Sequence, residues 1–344
     1  MSNTTETSSA AIAADLASNT AYARVFQPGH LTLGCIAPLE GYPSAPWPTL
    51  SNHAAMVRKA DALGFAALWL RDVPFYDPSF GDVGQILDPM VYAGWLAAQT
   101  RDIAIGTAGV VLPLRDPLLV AKQATSIDQL TGGRFLLGLS TGDRPSEFAA
   151  FGSDIASRAE RYRDAVAMIR AATEGAFTSF ASHYYGVLDG SLDLVPKPVG
   201  ARLPIIGIGR AGQTLDWLGA NTDGWIWHLS DFRRLPDVIA HWRAATEGQP
   251  FKPYGYGAMF DLVADPNAPL QFGGGGLRSG RNALIEHWKR QQDQGVNHVA
   301  LNPKPLQRPF SDVLDELGAY VLPHFRTPGG TRQTPALHST TQED

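Results

Sequence analysis

Cysteine is almost absent from this chain of 344 residues: Cys35 stands alone, which excludes an internal disulfide bond and a thiolate metal cluster. No stretch approaches the roughly 20 apolar residues of a membrane span, and the first residues lack the basic start and apolar run of a secretory signal. The formal net charge of −5 offers no attraction to nucleic acid or anionic membranes. We therefore predict a cytoplasmic protein that binds neither nucleic acid nor membranes.

Metal-binding patterns are also missing. The nine histidines are scattered and form no H-x-x-x-H pair, so we predict no metal site. What the chain does have is apolar residues, at 44% of the sequence, which is ample for a large core.

Short apolar segments alternate with helical patterns along most of the chain. Predicted strands cover residues 31–37, 66–70, 103–112, 135–139, 203–208, 224–227, 256–263 and 297–301. Eight strand–helix pairs favour an α/β fold closed into a (β/α)8 TIM barrel, with an open doubly wound sheet as the alternative. Residues 176–202 interrupt the alternation and predict a small hairpin insertion after the fourth helix. We expect a flexible arm at 1–28, the barrel at 29–326 and a flexible tail at 327–344.

The segment 116–152 carries the most specific pattern. Asp116 and Pro117 are a helix start signal, and residues 131–133 end that helix with two glycines. A buried strand at 135–139 follows and opens into a small polar loop at 140–143. This order of helix, stop, strand and loop resembles the luciferase-like monooxygenases, which are flavin enzymes built on a (β/α)8 barrel.

Residues 207–212 read G-I-G-R-A-G and match a dinucleotide fingerprint. A Rossmann site needs an acidic residue at the end of the next strand, whereas Asp223 begins it. In the family that the chain resembles, this turn holds the flavin phosphate. The resemblance implies phosphate donors at the backbone of Arg210, Ala211, Gly212 and Gln213 and at the hydroxyl of Thr214. The alternative is that the glycines only permit a tight turn.

The resemblance also places the flavin ring. The third strand ends in small residues, and in the family a cis peptide lies there beneath the ring, which corresponds to Ala108 and Gly109. Thr107 and Ala108 would then line the ring, and Ser140 and Thr141 would border its edge. The lone thiol of Cys35, at the end of the first strand, is expected to pack near the flavin.

Three strand ends supply candidate catalytic residues. Asp143 follows strand four and either orients the substrate or caps the next helix. Asp72 follows strand two, where it is either catalytic or paired with a neighbouring loop. His228 follows strand six and can exchange protons near neutral pH.

The glycine-rich loop at 272–281 follows strand seven and is either part of a phosphate site or a mobile lid. Its Arg278 or Arg281 would reach the flavin phosphate or an acidic substrate, or would simply lie on the surface.

The resemblance implies an FMN-dependent monooxygenase in which reduced FMN and O2 form a C4a-peroxyflavin that oxidises a small organic substrate. Reduced FMN would come from a separate NAD(P)H:flavin reductase, and the chain would form a homodimer. One alternative is hydride transfer with the deazaflavin F420, although Val73 stands where that branch often has histidine after the acid at Asp72. A second alternative is a non-catalytic flavin-binding protein.

Overall fold

Eight parallel strands close into a barrel in the computed structural model, which describes residues 10–228, 231–273 and 276–326. They are β1 (Thr32–Ile36), β2 (Ala67–Leu70), β3 (Ala104–Thr107), β4 (Phe135–Ser140), β5 (Ile205–Ile208), β6 (Gly224–His228), β7 (Tyr254–Leu262) and β8 (His298–Asn302). Each pairs with its neighbour in sequence, and β8 pairs with β1 to close the ring. The TIM barrel is confirmed, and the open sheet is wrong.

Helices cover the outside of the barrel. They are α1 (Ala14–Ala17), α2 (Thr20–Val25), α3 (His53–Leu63), α4 (Pro89–Gln99), α5 (Pro117–Thr131), α6 (Pro145–Ala150), α7 (Arg158–Glu174), α8 (Leu215–Asn221), α9 (Leu235–Ala245), α10 (Arg281–Gln294) and α11 (Phe310–Glu316). The start signal at Asp116 works as predicted, because its carboxylate accepts from the N–H groups of Leu118 and Leu119. Gly132 ends α5 with a φ of 65°.

The core has two layers, one inside the barrel and one between strands and helices. Ile36, Leu136 and Ile226 belong to the inner layer. Cys35 belongs to the outer layer, where it is buried with Leu33 and Val57. Successive side chains of a strand alternate between the two faces. The expectation that Cys35 lies beside a flavin is therefore wrong, because its neighbour Ile36 takes the inner face.

The expected N-terminal arm is folded over the part that the structure describes. The side chain of Asn19 caps α2, and Tyr22 and Phe26 are fully buried beneath the barrel strands. The Tyr22 hydroxyl donates to the carbonyl oxygen of Asp223 at 2.8 Å. The small and polar residues at the start of the chain gave no indication that Tyr22 and Phe26 would close the bottom of the barrel. Residues 1–9 and the expected tail at 327–344 lie outside the described residues.

Two connections differ in detail from the sequence-based expectation. The predicted hairpin in 176–202 is present as the antiparallel pair Ser179–Ala181 and Val187–Asp189. The glycine-rich loop considered as a lid is instead flanked by two short strands, Gln271–Gly273 and Gly276–Ser279, and the second pairs with β7. Residues 274 and 275 lie outside the described residues.

Within the described part of the chain, no helix is long and apolar enough to cross a membrane. The same residues contain no group of three or more histidine, cysteine, aspartate or glutamate side chains placed to hold a metal ion.

Candidate active site

A cavity of about 620 Å³ opens at the carboxyl ends of the barrel strands. Its volume lies within the range of roughly 300–1,000 Å³ that small-molecule sites occupy. The predicted residues that line it are Asp72, Ala108, Ser140, Thr141, Asp143, Arg210, Ala211, Gly212 and His228. The structure thus brings together strand ends that are separated by up to about half of the sequence. Thr107, Gln213 and Thr214 are not among its described lining residues.

Hydrogen bonds support the wall of the cavity at the end of β3 from behind. The peptide bond between Ala108 and Gly109 is cis, as the resemblance implies. Behind it, the Thr107 hydroxyl donates to the carbonyl oxygen of Gly138 at 2.7 Å and accepts from the N–H of Gly138 at 2.9 Å. The Ser140 hydroxyl donates to the carbonyl oxygen of Gly109 at 3.1 Å. Thr107 therefore supports this wall and does not form its surface.

The loop before α8 turns sharply and presents backbone to the cavity. Gly209, Ala211 and Gly212 all have positive φ, at 67°, 48° and 62°, so α8 begins only at Leu215. The Gln213 N–H donates to the Arg210 carbonyl oxygen. This removes Gln213 from the predicted phosphate donors.

Two side chains fix the position of that loop. The Gln213 amide donates to the carbonyl oxygens of Ala159 and Ala211, at 2.9 and 3.0 Å. The Thr214 hydroxyl accepts from the N–H of Trp217 at 3.2 Å and so caps α8. It retains its own hydrogen as a donor.

Two cations lie at this end of the cavity. Arg158 begins α7 next to Ala159, which contacts the loop, and its guanidinium donates to the carbonyl oxygen of Ile155 at 3.0 Å. The Arg210 guanidinium lies 6.0 Å from the ring centre of Trp227. Within the described residues neither arginine forms an ion pair. Both charges are therefore available to an anionic ligand.

Asp72 lies in the cavity wall but is fully engaged with protein. One carboxylate oxygen accepts from the N–H of Val111 and from Nε of Arg115, both at 2.9 Å, and the other accepts from Nη2 of Arg115 at 2.7 Å. Only 4% of the Asp72 side chain is exposed. These contacts support the second of the two roles considered for Asp72, an ion pair with a neighbouring loop.

Asp143 and His228 lie at the rim of the cavity, and both are exposed. Arg144 occupies the cap position of α6, so Asp143 does not cap that helix. Although part of His228 reaches solvent, partial desolvation of its ring by the surrounding protein lowers its pKa, and nearby Arg71 adds to this, while a hydrogen bond with the backbone of Gly257 opposes both. The imidazole is therefore mainly neutral at pH 7 and able to accept a proton.

The amino-acid sequence matches a known family over most of the barrel. The sequence model of the luciferase-like monooxygenases matches residues 27–268. The chain belongs to this family.

Proteins that this chain resembles carry different names and cofactors. An uncharacterized protein of Mycobacterium tuberculosis is 28% identical over 202 residues, which cover 55% of this chain and 69% of that protein. An FMN complex of a Baeyer–Villiger monooxygenase from Pseudomonas putida has a TM-score of 0.65 at 12% identity, covering 86% of this chain and 98% of that one. An F420-dependent secondary alcohol dehydrogenase with an F420–acetone adduct has a TM-score of 0.69 at 18% identity, with coverages of 86% and 99%. These two structures share the fold.

Sequence reasoning missed several residues of the cavity in this luciferase-like monooxygenase. Arg71, Phe80, Arg144, Glu147 and Arg158 all line it. Three of them belong to loops and helix starts after β4, where no strand-end pattern marks them. An arginine and a glutamate three residues apart, next to the loop at 140–143, are the signal that could have identified the pair Arg144 and Glu147.

The two arginines expected to reach a phosphate do not line this cavity. Arg278 pairs with Asp261 at 3.1 Å. Arg281 pairs with Glu316 at 2.8 Å, and its guanidinium lies 4.2 Å from the ring centre of Tyr320. The expectation fails because the chain around Arg278 is a strand bound to β7 and is not a loop over the cavity.

Proposed function

We propose that this chain is an FMN-dependent monooxygenase that uses reduced FMN and O2 to oxidise a small organic substrate. One observation carries the proposal. The same cavity holds the cis peptide of Ala108 and Gly109 and, beside the open backbone loop after β5, the cations Arg158 and Arg210, which form no ion pair among the described residues. A flat ring with a phosphate tail has the matching shape and charge.

The residues present fit such a ligand. A Cβ on Gly209 would meet open space, so the loop leaves room beside its backbone. The N–H groups of Arg210, Ala211 and Gly212 and the hydroxyl of Thr214 would hold the phosphate, together with the two guanidinium groups. Thr107, Ala108, Ser140 and Thr141 would support and border the ring. Bound flavin would supply the electrons for the reduction of dioxygen.

The protein's own part follows from the rim residues. Neutral His228 can accept a proton from the substrate side, and Asp143, free of the capping role, can orient a donor group or hold a proton. Phe80 and Trp227 line the cavity and would help to exclude water from a bound ring. Asp72 would position the loop after β3 through Val111.

The phosphate assignment is tested with FMN and riboflavin, which differ only in the phosphate. Arg158→Gln and Arg210→Gln are each expected to weaken FMN binding roughly tenfold to a hundredfold, the value of a charged hydrogen bond, and to leave riboflavin affinity nearly unchanged. Exposed Arg290 on α10 provides the matched control, Arg290→Gln. Equal losses for both ligands, or no loss for FMN, would contradict the assignment.

The reaction class is tested by comparing cofactors. Oxidised and reduced FMN and F420 are titrated by fluorescence, and each reduced complex is then mixed with O2. Preference for FMN, with flavin-dependent oxygen uptake when a substrate is present, supports the monooxygenase. Preference for F420 without oxygen uptake favours the hydride-transfer alternative. FMN binding that never yields turnover with any substrate favours a binding protein.

Two further parts of the proposal concern partners. A separate NAD(P)H:flavin reductase would supply reduced FMN, because the fingerprint at 207–212 is committed to the flavin end of this cavity. We also propose a homodimer, by analogy with the family. Turnover that requires an added reductase would support the reductase partner. Sedimentation velocity measures whether the chain forms a homodimer.

A further inference from the structure

Arg144 and Glu147 form an ion pair whose facing atoms remain unsatisfied. They stand at the start of α6, and both line the cavity. Arg144 is 8% exposed and Glu147 is 3% exposed. Nη1 of Arg144 and Oε1 of Glu147 are 3.8 Å apart, which is too far for a hydrogen bond. Within the described part of the chain, neither atom has a hydrogen-bond partner.

Buried polar atoms of this kind are costly unless something completes them. The rest of the Arg144 side chain is held firmly: Nη2 donates to the carbonyl oxygen of Asp82 at 3.0 Å, and the guanidinium lies 4.8 Å from the ring centre of Phe80. Arg144 is therefore held in place, and its Nη1 lies 3.8 Å from Oε1 of Glu147 with under 1 Å² of either atom exposed, so a ligand must part the two side chains to contact both. A ligand that accepts from one and donates to the other would satisfy both.

The charges around the pair select against an anionic ligand. Burial raises the pKa of Glu147; Arg144 opposes this, while Asp72, Asp143 and Asp77 add to it. Asp72 is neutralised by Arg115 and Asp82 by Arg71. A carboxylate bound to Arg144 would also face Glu147, and Asp143 lines the same cavity. An uncharged donor–acceptor group avoids that repulsion.

We propose that Arg144 and Glu147 bind the polar head of the substrate, and that this head is an uncharged carboxamide-type group, with a carbonyl oxygen next to an N–H. The carbonyl accepts from Arg144, and the N–H donates to Glu147. Nearby Phe80 and Val111 are apolar and suit a hydrocarbon body next to this head. This inference rests on the proposed function, because it takes the same cavity as the substrate site.

The test uses three probes of one shape: benzamide, N,N-dimethylbenzamide, which has no N–H, and benzoate, which is charged. Calorimetry measures their affinities for FMN-saturated protein. We expect benzamide to bind at least roughly tenfold more tightly than either analogue, because each analogue leaves a buried group unpaired. Equal affinity for the three probes, or tightest binding of benzoate, would overturn the proposal. This part of the test uses only the wild-type protein.

Glu147→Gln distinguishes ligand binding from a purely structural pair. Removing one negative charge leaves Arg144 unopposed, so benzoate should gain affinity relative to benzamide by roughly tenfold. A structural role alone would lower stability without changing that ratio. Glu247→Gln, at an exposed position, and Ser146→Ala, which only removes the Ser146–Asp77 bond, are the matched controls and should keep the wild-type ratio.

The flavin ring also carries a carbonyl next to an N–H, so the pair could bind the cofactor instead of the substrate. The Glu147→Gln experiment distinguishes these two ligands. If Glu147→Gln weakens FMN binding and leaves the benzamide-to-benzoate ratio unchanged, the pair binds the cofactor and the substrate assignment is wrong. Failure of the proposed function appears separately, as the absence of FMN binding by the wild-type protein. The same three titrations without FMN then still test the pair.

Discussion

Gly138 of β4 occupies a position where any side chain would collide with the supported wall of the cavity. An added Cβ would lie 1.7 Å from the carbonyl oxygen of Thr107 and 3.1 Å from Cγ1 of Ile208. Real Cβ contacts do not fall below 3.0 Å. Gly138→Ala must therefore separate β3 from β4 by roughly 1.3 Å in an interior packed as densely as an organic crystal. The obstacle is backbone, which cannot rotate away.

The expected cost follows from two contributions. Overpacking of a rigid core costs about 1–3 kcal/mol or more, and the separation weakens both hydrogen bonds between Thr107 and Gly138, at about 1 kcal/mol each. We expect the free energy of unfolding to fall by about 3–5 kcal/mol, a large part of the total of roughly 5–15 kcal/mol for ordinary proteins. Since Ala108 and Gly109 move with Thr107, FMN affinity should fall as well.

Urea unfolding, followed by tryptophan fluorescence, measures this change. Gly94 in α4 provides a matched control, because a Cβ there meets nothing within 4 Å. Gly94→Ala should raise the free energy of unfolding by about 0.5–1 kcal/mol through helix propensity. A Gly138→Ala protein within about 1 kcal/mol of the wild type would refute the reasoning, because it would show that the two strands separate at little cost.

Three further predictions concern charged and ionisable groups. Asp72→Asn should lower the free energy of unfolding by about 2 kcal/mol, since it weakens a buried pair with Arg115, yet leave FMN affinity within about a factor of two; unchanged stability with a large loss of FMN affinity would instead place Asp72 in the cofactor site. Burial would raise the pKa of Asp223, but Arg170 and Arg202 outweigh it and hold that pKa below its ordinary 3.8. Asp223 therefore stabilises the fold fully at a pH above the pKa that it has in the unfolded chain. This stabilisation is lost as the pH falls toward the lower pKa that it has in the folded protein, so Asp223→Asn should flatten the acid side of the stability–pH curve. Burial raises the pKa of the Cys35 thiol, so a disulfide reagent at pH 8 should react with it only after urea unfolding.

The barrel could be predicted because its signals are local. Each strand is a short apolar run, and β4 and β6 lie within one residue of the predicted 135–139 and 224–227. Asp88 and Asp116 cap their helices through their own side chains, with proline at the next position. Such features depend on neighbours in sequence, and tertiary contacts did not override them.

The incorrect predictions have a different cause. Nothing local shows that Tyr22 would be buried, because its partner, the carbonyl of Asp223, lies 201 residues away. Likewise, the partner that takes Arg278 from the cavity is Asp261, on a neighbouring strand. Asp72 and Arg115 meet across two strand ends. Each of these contacts depends on which elements become neighbours when the barrel closes. The spacing of apolar residues along the chain does not indicate which elements these will be.

The charges of the cavity differ between its two sides. On the side of β2 and β4, Arg71 pairs with Asp82, Arg144 with Glu147, and Asp72 with Arg115, so each positive charge meets a negative one. On the side of β5, Arg158 and Arg210 form no ion pair among the described residues. An anionic tail is therefore attracted to one side only, which orients a flat ligand before its ring touches the wall at Ala108. Among the described residues, the side of β2 and β4 leaves no cation unpaired and also carries the carboxylate Asp143, so an uncharged molecule suits it better than an anion.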